Sequence, residues 1–504
     1  MRLFSARVLG RLCAACLIAS AAAAQVRTLT ILHTNDMHAA FLPREAVWIK
    51  TTPRPMVGGF AELARVIDSV REARRAAGVA TLLLDAGDVM TGNPITERTY
   101  AGAQGGALFA MMNMMDYDVW CPGNHDFDVS QANLRALGHI AHFPMVCANV
   151  VDTLGRYPVG NVPYVILRRG GLRVGVIGLM SQDLYNLVNQ NNLVGLRVLS
   201  PVETALRFID SLRGRVDITI ALTHEGVEDD SALAAAAPAL ALIVGGHSHT
   251  RLRHPRVVAG VPIVQTGSSA ENLGVVDLTL EGTTVTACQG SLIQLWAPAS
   301  QQPSPVAALA DSMKREIDRD YDAVIATLRG NWTRSESQNA LGTFLADAQR
   351  EAAHAEVGFM NNGGIRRDVA AGPLTKKTLF EILPFRNILA TFQLSGAQLR
   401  TVLTNDVEAR PGIQVAGISG VWRRGEGGRV EFTSITVGGK PLDENRMYRC
   451  AASDFFVGEA KRYLGLEIAQ PYYLQQTVFA AVEAIVRARG EIVPRITDTI
   501  EQSH

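Results

Sequence analysis

Five short segments of this chain place carboxylate, imidazole or amide side chains directly after an apolar run. These segments, in chain order, are Asn35–His38, Asp85–Asp88, Gly123–Asp128, Thr223–Glu225 and Gly245–His249. If each apolar run is a strand, the polar groups follow the carboxyl ends of the strands, where open α/β sheets bind their ligands. Five such segments in one chain predict a dinuclear metal site.

The residue types favour transition metals. Asp36 and His38 alternate, so both side chains lie on one side of an extended segment and can reach one ion. The carboxylate of Asp88 can bridge two ions, Asn124 offers an amide oxygen, and further imidazoles come from His224, His247 and His249. Mixed nitrogen and oxygen ligands suit Zn²⁺, Mn²⁺ or Fe better than Ca²⁺ or Mg²⁺. A lone histidine is more often a core or surface residue, and only the ordered recurrence of these pieces favours a metal site.

Length and charge set the class of protein. With 504 residues the chain is long enough for two domains or more. It is 47% hydrophobic and 19% charged, which is ordinary for a globular protein with large cores. Lys plus Arg and Asp plus Glu both number 48, so no basic excess indicates binding to a nucleic-acid polymer.

The first 24 residues have the pattern of a signal peptide. Arg2, Arg7 and Arg11 precede a small apolar stretch that ends at Ala22–Ala24. A membrane anchor and a lipid-modified Cys16 are the alternatives. No later run of about 18 apolar residues appears, so we expect no transmembrane segment after it. Export to the periplasm or medium would leave four cysteines, whose pairing stays open: Cys121, Cys147, Cys288 and Cys450.

The spacing of apolar runs predicts a layered α/β fold. Between residues 26 and 300, short strands alternate with helical patterns such as Phe60–Arg75 and Val202–Leu212. Residues 298–305 are rich in Ala, Ser, Gln and Pro, which indicates a linker, and Val306–Tyr321 reads as a helix. We expect a signal peptide at 1–24, a catalytic domain at 25–300, a linker helix at 301–324 and a second domain at 325–504.

The motifs resemble those of a known family. Asp36-x-His38, Gly87-Asp88, Gly123–Asp126, His224 and Gly246-His247-x-His249 are similar to the calcineurin-like metallophosphoesterases. Leu32–His38 and Asn124–Asp128 more closely resemble the exported 5′-nucleotidases and UDP-sugar hydrolases, as do Asn361–Arg366 and Leu383–Phe385 in the second domain. The resemblance implies a four-layer αββα metallophosphoesterase domain followed by a C-terminal substrate-binding domain.

The same resemblance assigns roles in the first domain. It implies two divalent ions, Zn, Mn or Co, one held by Asp36, His38, Asp88 and His249, the other by Asp88, Asn124, His224 and His247. It also implies a catalytic dyad of His125 and Asp128, in which a protonated imidazole stabilises phosphoryl charge and the carboxylate orients it. The alternative for Asp128 is a plain helix N-cap ahead of Val129–Leu137.

The resemblance assigns substrate contacts in the second domain. Asn361, Gly363 and Gly364 form a loop whose backbone can approach a ligand closely. Arg366 and Arg334 resemble phosphate-binding arginines, and Phe385 and Phe455 resemble the aromatic pair that stacks on a base; taken alone, each is a surface arginine or a core phenylalanine. The family's Gly-Gly-Asp-Gly segment is absent after Phe455, where Glu459 is the candidate substitute for its ribose-binding aspartate.

These assignments predict an exported phosphohydrolase that removes phosphate from nucleoside 5′-monophosphates and also cleaves nucleotide sugars. The alternatives are a 2′,3′-cyclic nucleotide phosphodiesterase or 3′-nucleotidase, and a thiosulfate hydrolase of the same fold. A non-catalytic binding protein is a third, disfavoured by the full ligand set. The expected partner is a small nucleotide, and the sequence leaves the oligomeric state open.

Overall fold

Two sheets form the centre of the N-terminal half. The computed structural model describes residues 26–46, 48–298, 303–409 and 412–503, so the predicted signal peptide lies outside the described residues. In spatial order the first sheet contains Thr284–Gln294, Asn272–Glu281, Val26–Thr34, Ala80–Asp85 and Val119–Trp120. The second sheet contains Arg256–Val258, Val261–Val264, Leu242–Val244, Ile218–His224, Leu172–Met180 and Tyr164–Arg169.

The two sheets pack face to face between two layers of helices. Their facing sides bury a core to which Ile31 and Leu84 contribute from one sheet and Val176 and Leu222 from the other. The outer face of the first sheet packs on the helices Phe60–Ala76, Gly106–Met114 and Gln131–Ile140. The outer face of the second packs on Pro201–Leu212 and Val227–Ala236. This arrangement is the predicted four-layer αββα fold.

Parallel pairing brings the site segments to one edge. Val26–Thr34 pairs in parallel with Ala80–Asp85, which pairs in parallel with Val119–Trp120. In the second sheet, Ile218–His224 is parallel to both of its neighbours. Parallel strands end at the same edge of their sheet, so the polar segments that follow them converge, as the sequence predicts.

Minor elements complete this half. The short strands are Arg44–Glu45, Met56–Val57, Thr99–Tyr100, Ala103–Gln104, Val150–Asp152, Leu196–Val198 and Trp296–Ala297. The 3-10 turns are Pro94–Glu97, Asn124–Phe127, Gln182–Asn186 and Gln190–Leu193.

The helix Pro305–Tyr321 lies in the predicted linker and packs on the first half. Its residues Val306, Ala310, Met313 and Ile317 belong to the same core as the helices outside the first sheet. Ser304 caps it by accepting from the amide of Ala307. The helix therefore extends the core of the first half. The domain boundaries given above remain predictions.

The C-terminal half has its own sheets and cores. Its main sheet contains, in spatial order, Ile413–Ala416, Val357–Asn361, Met447–Ser453, Ile388–Ser395 and Tyr472–Thr477. A second sheet contains Gly372–Thr375, Val324–Leu328 and Glu491–Ile492. A third contains Lys440–Pro441, Val430–Val437, Ile418–Arg424 and Ile500–Gln502. The helices are Ala340–Ala352, Lys376–Ile382, Gly396–Ala409, Asp454–Gly458, Ala460–Leu464 and Val478–Arg489, with 3-10 turns at Asn362–Gly364 and Glu426–Gly428.

None of the helices in the described part of the chain combines the length and apolar character that a bilayer span requires. The four cysteines left open by the sequence, Cys121, Cys147, Cys288 and Cys450, are all free thiols.

Candidate metal centre

The predicted ligands follow strand ends, and five of them lie in an uncommon backbone conformation. Asp36, His38, Asp88, His247 and His249 all adopt left-handed backbone angles, with φ between 48° and 76°. That region is uncommon outside glycine and costs about 1–3 kcal/mol at each residue. Five strained residues in one cluster, all of them predicted ligands, indicate a functional site.

The first ligand cluster joins two histidines to one aspartate. His38 Nε2 lies 2.9 Å from His249 Nε2, and His249 Nε2 lies 3.3 Å from Asp36 Oδ1. His38 Nε2 is 3.8 Å from Asp36 Oδ1 and also 3.8 Å from Asp88 Oδ2. These four residues are those predicted for one ion, and the structure brings all four together.

The second cluster shares Asp88 with the first. Asp88 Oδ2 lies 3.2 Å from His224 Nε2, which is 3.3 Å from Asn124 Oδ1. His247 Nδ1 is 3.0 Å from the same Asn124 oxygen. The structure thus also brings together the four residues predicted for the other ion, and Asp88 stands between the clusters as a bridging ligand must.

Contacts behind the ligands fix which atoms face the centre. The Nδ1 of His38 lies 3.1 Å from the carbonyl oxygen of Thr91, and the Nδ1 of His224 lies 2.6 Å from that of Ala86. A carbonyl only accepts, so each Nδ1 carries a proton, and Nε2 is the ring atom that faces the centre. Metal-binding histidines are typically oriented in this way.

The donor set fits divalent cations. Asp36 is fully buried, and among the described residues its Oδ1 has no hydrogen-bond donor, although its Oδ2 accepts from Asn35 Nδ2 and the His247 amide. Buried acceptors that converge without donors are costly unless a cation lies among them. The same atoms form two groups of possible ligands, Asp36 with His38 and His249, and Asp36 with Asp88 and His224.

Electrostatic coupling inside the centre is strong. Burial raises the pKa of Asp88, but the neighbouring charges of His224 and His125 outweigh it and hold that pKa well below its usual value. Burial lowers the pKa of His224, but Asp88 and Asp36 raise it to about 10. Burial and the charge of His224 lower the pKa of His247 to about 4. The negative charge of Asp88 is therefore favoured in the centre, as a ligand for a cation requires.

His125 and Asp128 form the predicted pair at the edge of the centre. His125 Nδ1 lies 2.8 Å from Asp128 Oδ2, which also accepts from the Thr91 hydroxyl at 2.6 Å. Burial lowers the pKa of His125, but the charges of Asp128 and Asp88 raise it overall. The alternative of Asp128 as a helix N-cap is wrong, because Ser130 caps the helix Gln131–Ile140.

Two supporting residues were given no role by the sequence reasoning. Asp126 Oδ2 accepts from the amides of Gly123 and Asp88 at 2.8 and 3.1 Å, which joins two ligand-bearing loops. Asn35 accepts from the amide and hydroxyl of Thr266, both at 2.8 Å. Both residues lie inside the predicted motifs, but Asp88 and Thr266 are distant from them in sequence, so the motifs alone did not reveal these two contacts.

Two side chains of the C-terminal half enter the centre. Arg366 Nη2 donates to His38 Nε2 at 3.2 Å, and Arg366 Nη1 lies 3.4 Å from the carbonyl of Gly363. The ring of Phe385 lies 5.5 Å from that of His125 and 5.8 Å from the guanidinium carbon of Arg366. A cation and an aromatic face thus lie beside the predicted catalytic histidine.

The other predicted substrate residues lie farther out. Arg334 is half-exposed and paired with Asp368 at 3.1 Å. Phe455 packs on the core of the C-terminal half, and no ring contact among the described residues joins it to Phe385. The amide of buried Asn361 donates to the Tyr463 hydroxyl at 3.3 Å.

The glycine loop and the candidate ribose ligand differ in exposure. Gly363 is exposed, whereas a Cβ on buried Gly364 would lie 2.6 Å from Met360 Cε. Glu459 is buried, and burial raises its pKa. Of the two glycines, Gly363 is the one exposed to a ligand.

Each half of the chain matches a known protein family. Residues 29–251 match the calcineurin-like phosphoesterase family, and residues 323–465 match the 5′-nucleotidase C-terminal domain. A 5′-nucleotidase of Vibrio cholerae is 28% identical over 486 residues, which cover 85% of this chain and 84% of that protein.

Solved structures share the whole architecture. The 5′-nucleotidase precursor of Thermus thermophilus superposes with a TM-score of 0.80 at 25% identity, covering 95% of this chain and 100% of that one. The sulfate thiohydrolase SoxB of the same genus gives 0.78 at 19% identity, covering 94% and 96%. The second likeness shows the fold alone.

Proposed function

Because the chain belongs to the two-domain 5′-nucleotidase family of calcineurin-like metallophosphoesterases, which are phosphoric monoester hydrolases, we propose that it removes phosphate from nucleoside 5′-monophosphates. One observation carries the substrate assignment. Arg366 and Phe385 of the C-terminal half lie at the ligand clusters of the N-terminal half, where they can contact phosphate and base.

Two divalent ions, Zn, Mn or Co, would be held by the two clusters, with Asp88 between them. Metal ions in such sites stabilise negative charge on phosphoryl oxygens and activate water. The protein contributes rigidity: His38 and His224 are fixed by carbonyls, and the Asp88 loop is tied to the Asn124 loop through Asp126.

His125 would act on the reacting phosphoryl group. Its Nδ1 proton is engaged by Asp128, so its Nε2 is the atom available to a substrate oxygen. The raised pKa of His125 favours the protonated form, which stabilises developing charge. Arg366 adds a planar fork of donors suited to phosphate.

Phe385 and Phe455 would contact the base. A base lying on Phe385 would be adjacent to His125 and Arg366, which keeps its 5′-phosphate at the metal centre. Nucleotide sugars, which carry the same base and phosphate, are included in the proposed substrate range. The proposal includes export of the chain, with the first 24 residues acting as a signal peptide.

A phosphate-release screen tests the function. Protein lacking residues 1–24 is assayed with Mn²⁺, Zn²⁺ or Co²⁺ on 5′-, 3′- and 2′,3′-cyclic nucleotides and on UDP-glucose. Products of the cyclic nucleotides and of UDP-glucose are also separated by chromatography, because their first hydrolysis releases no free phosphate. We expect the 5′-monophosphates to give kcat/KM at least ten-fold above the 3′ and cyclic compounds. Preference for cyclic nucleotides, or no phosphate release with any ion, would refute the assignment.

A further inference from the structure

Thr91 is buried beside the predicted dyad and has an uncommon backbone conformation. It follows Asp88 in the loop after the strand Ala80–Asp85, and it is 5% exposed. Its φ is 63°, in the left-handed region, where a β-branched residue is an outlier because its Cβ crowds the backbone. A smaller residue would fit this backbone more easily, so the threonine side chain itself requires an explanation.

The two oxygens of Thr91 contact different parts of the centre. Its carbonyl oxygen lies 3.1 Å from Nδ1 of His38, a predicted metal ligand. Its hydroxyl donates to Oδ2 of Asp128 at 2.6 Å, and the same Oδ2 lies 2.8 Å from Nδ1 of His125. The hydroxyl is therefore one residue removed from the histidine that would act on the phosphoryl group.

The carboxylate of Asp128 has little other support. In the described part of the chain its hydrogen-bond partners are His125 and Thr91 alone. The side chain of Asp128 is 23% exposed, so water competes for both contacts. Asn192 holds the backbone instead, since its Nδ2 donates to the carbonyl of Asp128 at 2.9 Å. Apart from His125 itself, the Thr91 hydroxyl is thus the group that can set the direction of this carboxylate.

The segment that carries Thr91 is fixed on both sides. Before it, the amide of Met90 donates to Oδ1 of Asp126 at 3.0 Å. After it, a Cβ at Gly92 would lie 2.2 Å from the carbonyl oxygen of His38, so the backbone passes His38 where only glycine fits. The Thr91 hydroxyl therefore donates from a backbone that is held in place.

We propose that Thr91 is a positioning residue for the reaction, whose hydroxyl holds Asp128 so that Asp128 directs the His125 imidazole towards the phosphoryl group. Thr91 acts through Asp128 and touches no substrate. A nucleophile or acid–base group is typically oriented by a further group behind it, and a small misplacement is costly in rate. The inference rests on the proposed hydrolase function and deepens it.

The variants Thr91→Val and Thr91→Ser separate the hydroxyl from the shape of the side chain. Valine keeps the β-branch and loses the donor, whereas serine keeps the donor. In metal-loaded mature protein acting on AMP, we expect Thr91→Val to lower kcat roughly ten-fold or more, with KM and metal content unchanged. Thr91→Ser should keep most of the wild-type kcat, because its hydroxyl can still donate to Asp128.

The matched control is Thr30→Val. Thr30 is also buried, and its hydroxyl also donates to an aspartate, Asp277 Oδ1, at 2.6 Å, but it lies in the middle of the strand Val26–Thr34. Thr30→Val should lower the melting temperature, as Thr91→Val should, yet leave kcat unchanged. A melting temperature that falls in both variants while kcat falls in one separates positioning from stability.

A double variant tests the route through Asp128. Asp128→Ala already lacks the acceptor, so adding Thr91→Val to it should lower kcat no further. If Thr91→Val does not fold, Thr91→Ala replaces it, because alanine also lacks the hydroxyl and adds no bulk. An additive loss in the double variant would mean that Thr91 acts by another route, and loss of metal from the single variant would mean that it acts through His38.

A readout without substrate separates this inference from the proposed function. The Nδ1 proton of His125 donates to Asp128, so it should give a downfield proton NMR signal, identified by its absence in His125→Ala. That signal should broaden in Thr91→Val and stay sharp in Thr91→Ser and Thr30→Val. A wild type that hydrolyses no phosphate ester would refute the function, and the signal would still decide the role of Thr91. A sharp signal or wild-type kcat in Thr91→Val, a Thr91→Ser protein as impaired as Thr91→Val, or either outcome of the preceding paragraph would overturn the inference.

Discussion

His125 lies between a carboxylate and an aromatic ring, and none of its ring contacts requires it to be a metal ligand. We therefore expect His125→Ala to retain both ions while kcat falls roughly 10²–10⁴-fold, the usual range for an acid–base group. Elemental analysis of the purified variant, beside its steady-state kinetics, makes the measurement. Loss of metal together with activity would identify His125 as a ligand instead.

Asp88 approaches a histidine of each cluster, at 3.2 Å from His224 and 3.8 Å from His38. Asp88→Asn keeps its shape but removes the charge, so at least one ion should be missing from the purified protein. The matched control is Asp128→Asn, which alters a carboxylate outside both clusters and should keep its ions. Full metal content in Asp88→Asn would contradict the bridging role.

Residue identity could be predicted from the sequence better than residue geometry. The predicted ligands include Asp36, His38, Asp88, His247 and His249. Their types and order predicted this role, because imidazole and carboxylate groups recur after successive apolar runs. Their left-handed backbone could not be predicted, since such angles persist only where surrounding contacts enforce them. Those contacts join residues far apart in the chain.

At the scale of elements, the turn that carries Asn124 tolerates no side chain at Gly123. A Cβ there would lie 2.2 Å from Asp88 Oδ1 and 2.7 Å from His224 Cε1. Gly123→Ala should therefore displace Asp88, lower the melting temperature and reduce the metal content. Differential scanning calorimetry and elemental analysis measure both effects.

The control for Gly123→Ala is Gly458→Ala, where an added Cβ has no neighbour within 4 Å at the end of a short helix. Alanine is the better helix former, so this variant should melt at or slightly above the wild-type temperature. A Gly123→Ala protein with unchanged metal content and melting temperature would show that the Asp88 loop is not constrained by this turn.

The elements themselves followed from the sequence closely. The predicted helix Phe60–Arg75 occurs as Phe60–Ala76, and Val202–Leu212 as Pro201–Leu212, because their apolar spacing and caps are local features. The strand Val261–Val264 ends before Gln265, whose side chain donates to the Gly246 carbonyl and accepts from the Ser248 hydroxyl. Local patterns located the elements, whereas long-range hydrogen bonds set their ends.

At the scale of the molecule, polar contacts hold the two halves together. Arg386 makes two hydrogen bonds with Glu97, at 2.9 and 2.8 Å, and Asn189 donates to Asp454 at 3.2 Å. Such contacts are weak individually and exchange readily with water. Such contacts would let the halves move apart, as we expect if substrate enters between them. The helix Pro305–Tyr321 lies in the connection between the halves.

Because the predicted metal ligands and the predicted base contacts lie on different halves, substrate choice should depend on the second half. A base stacked on an aromatic face gains about 1–3 kcal/mol. Phe385→Ala combined with Phe455→Ala should therefore lower kcat/KM for AMP roughly 30-fold or more, the product of two such losses at their lower limit. The same variant should hydrolyse p-nitrophenyl phosphate, which has no purine, with much smaller loss.

The single variants separate stacking from positioning. The ring of Phe385 also contacts His125, so Phe385→Ala should lower activity on both substrates, whereas Phe455→Ala should affect AMP alone. Phe432→Ala, a partly buried phenylalanine elsewhere in the C-terminal half, should leave the AMP to p-nitrophenyl phosphate ratio unchanged. If that ratio is also unchanged in the double variant, neither ring binds the base, and the loss of the Gly-Gly-Asp-Gly segment has moved nucleoside recognition to other residues.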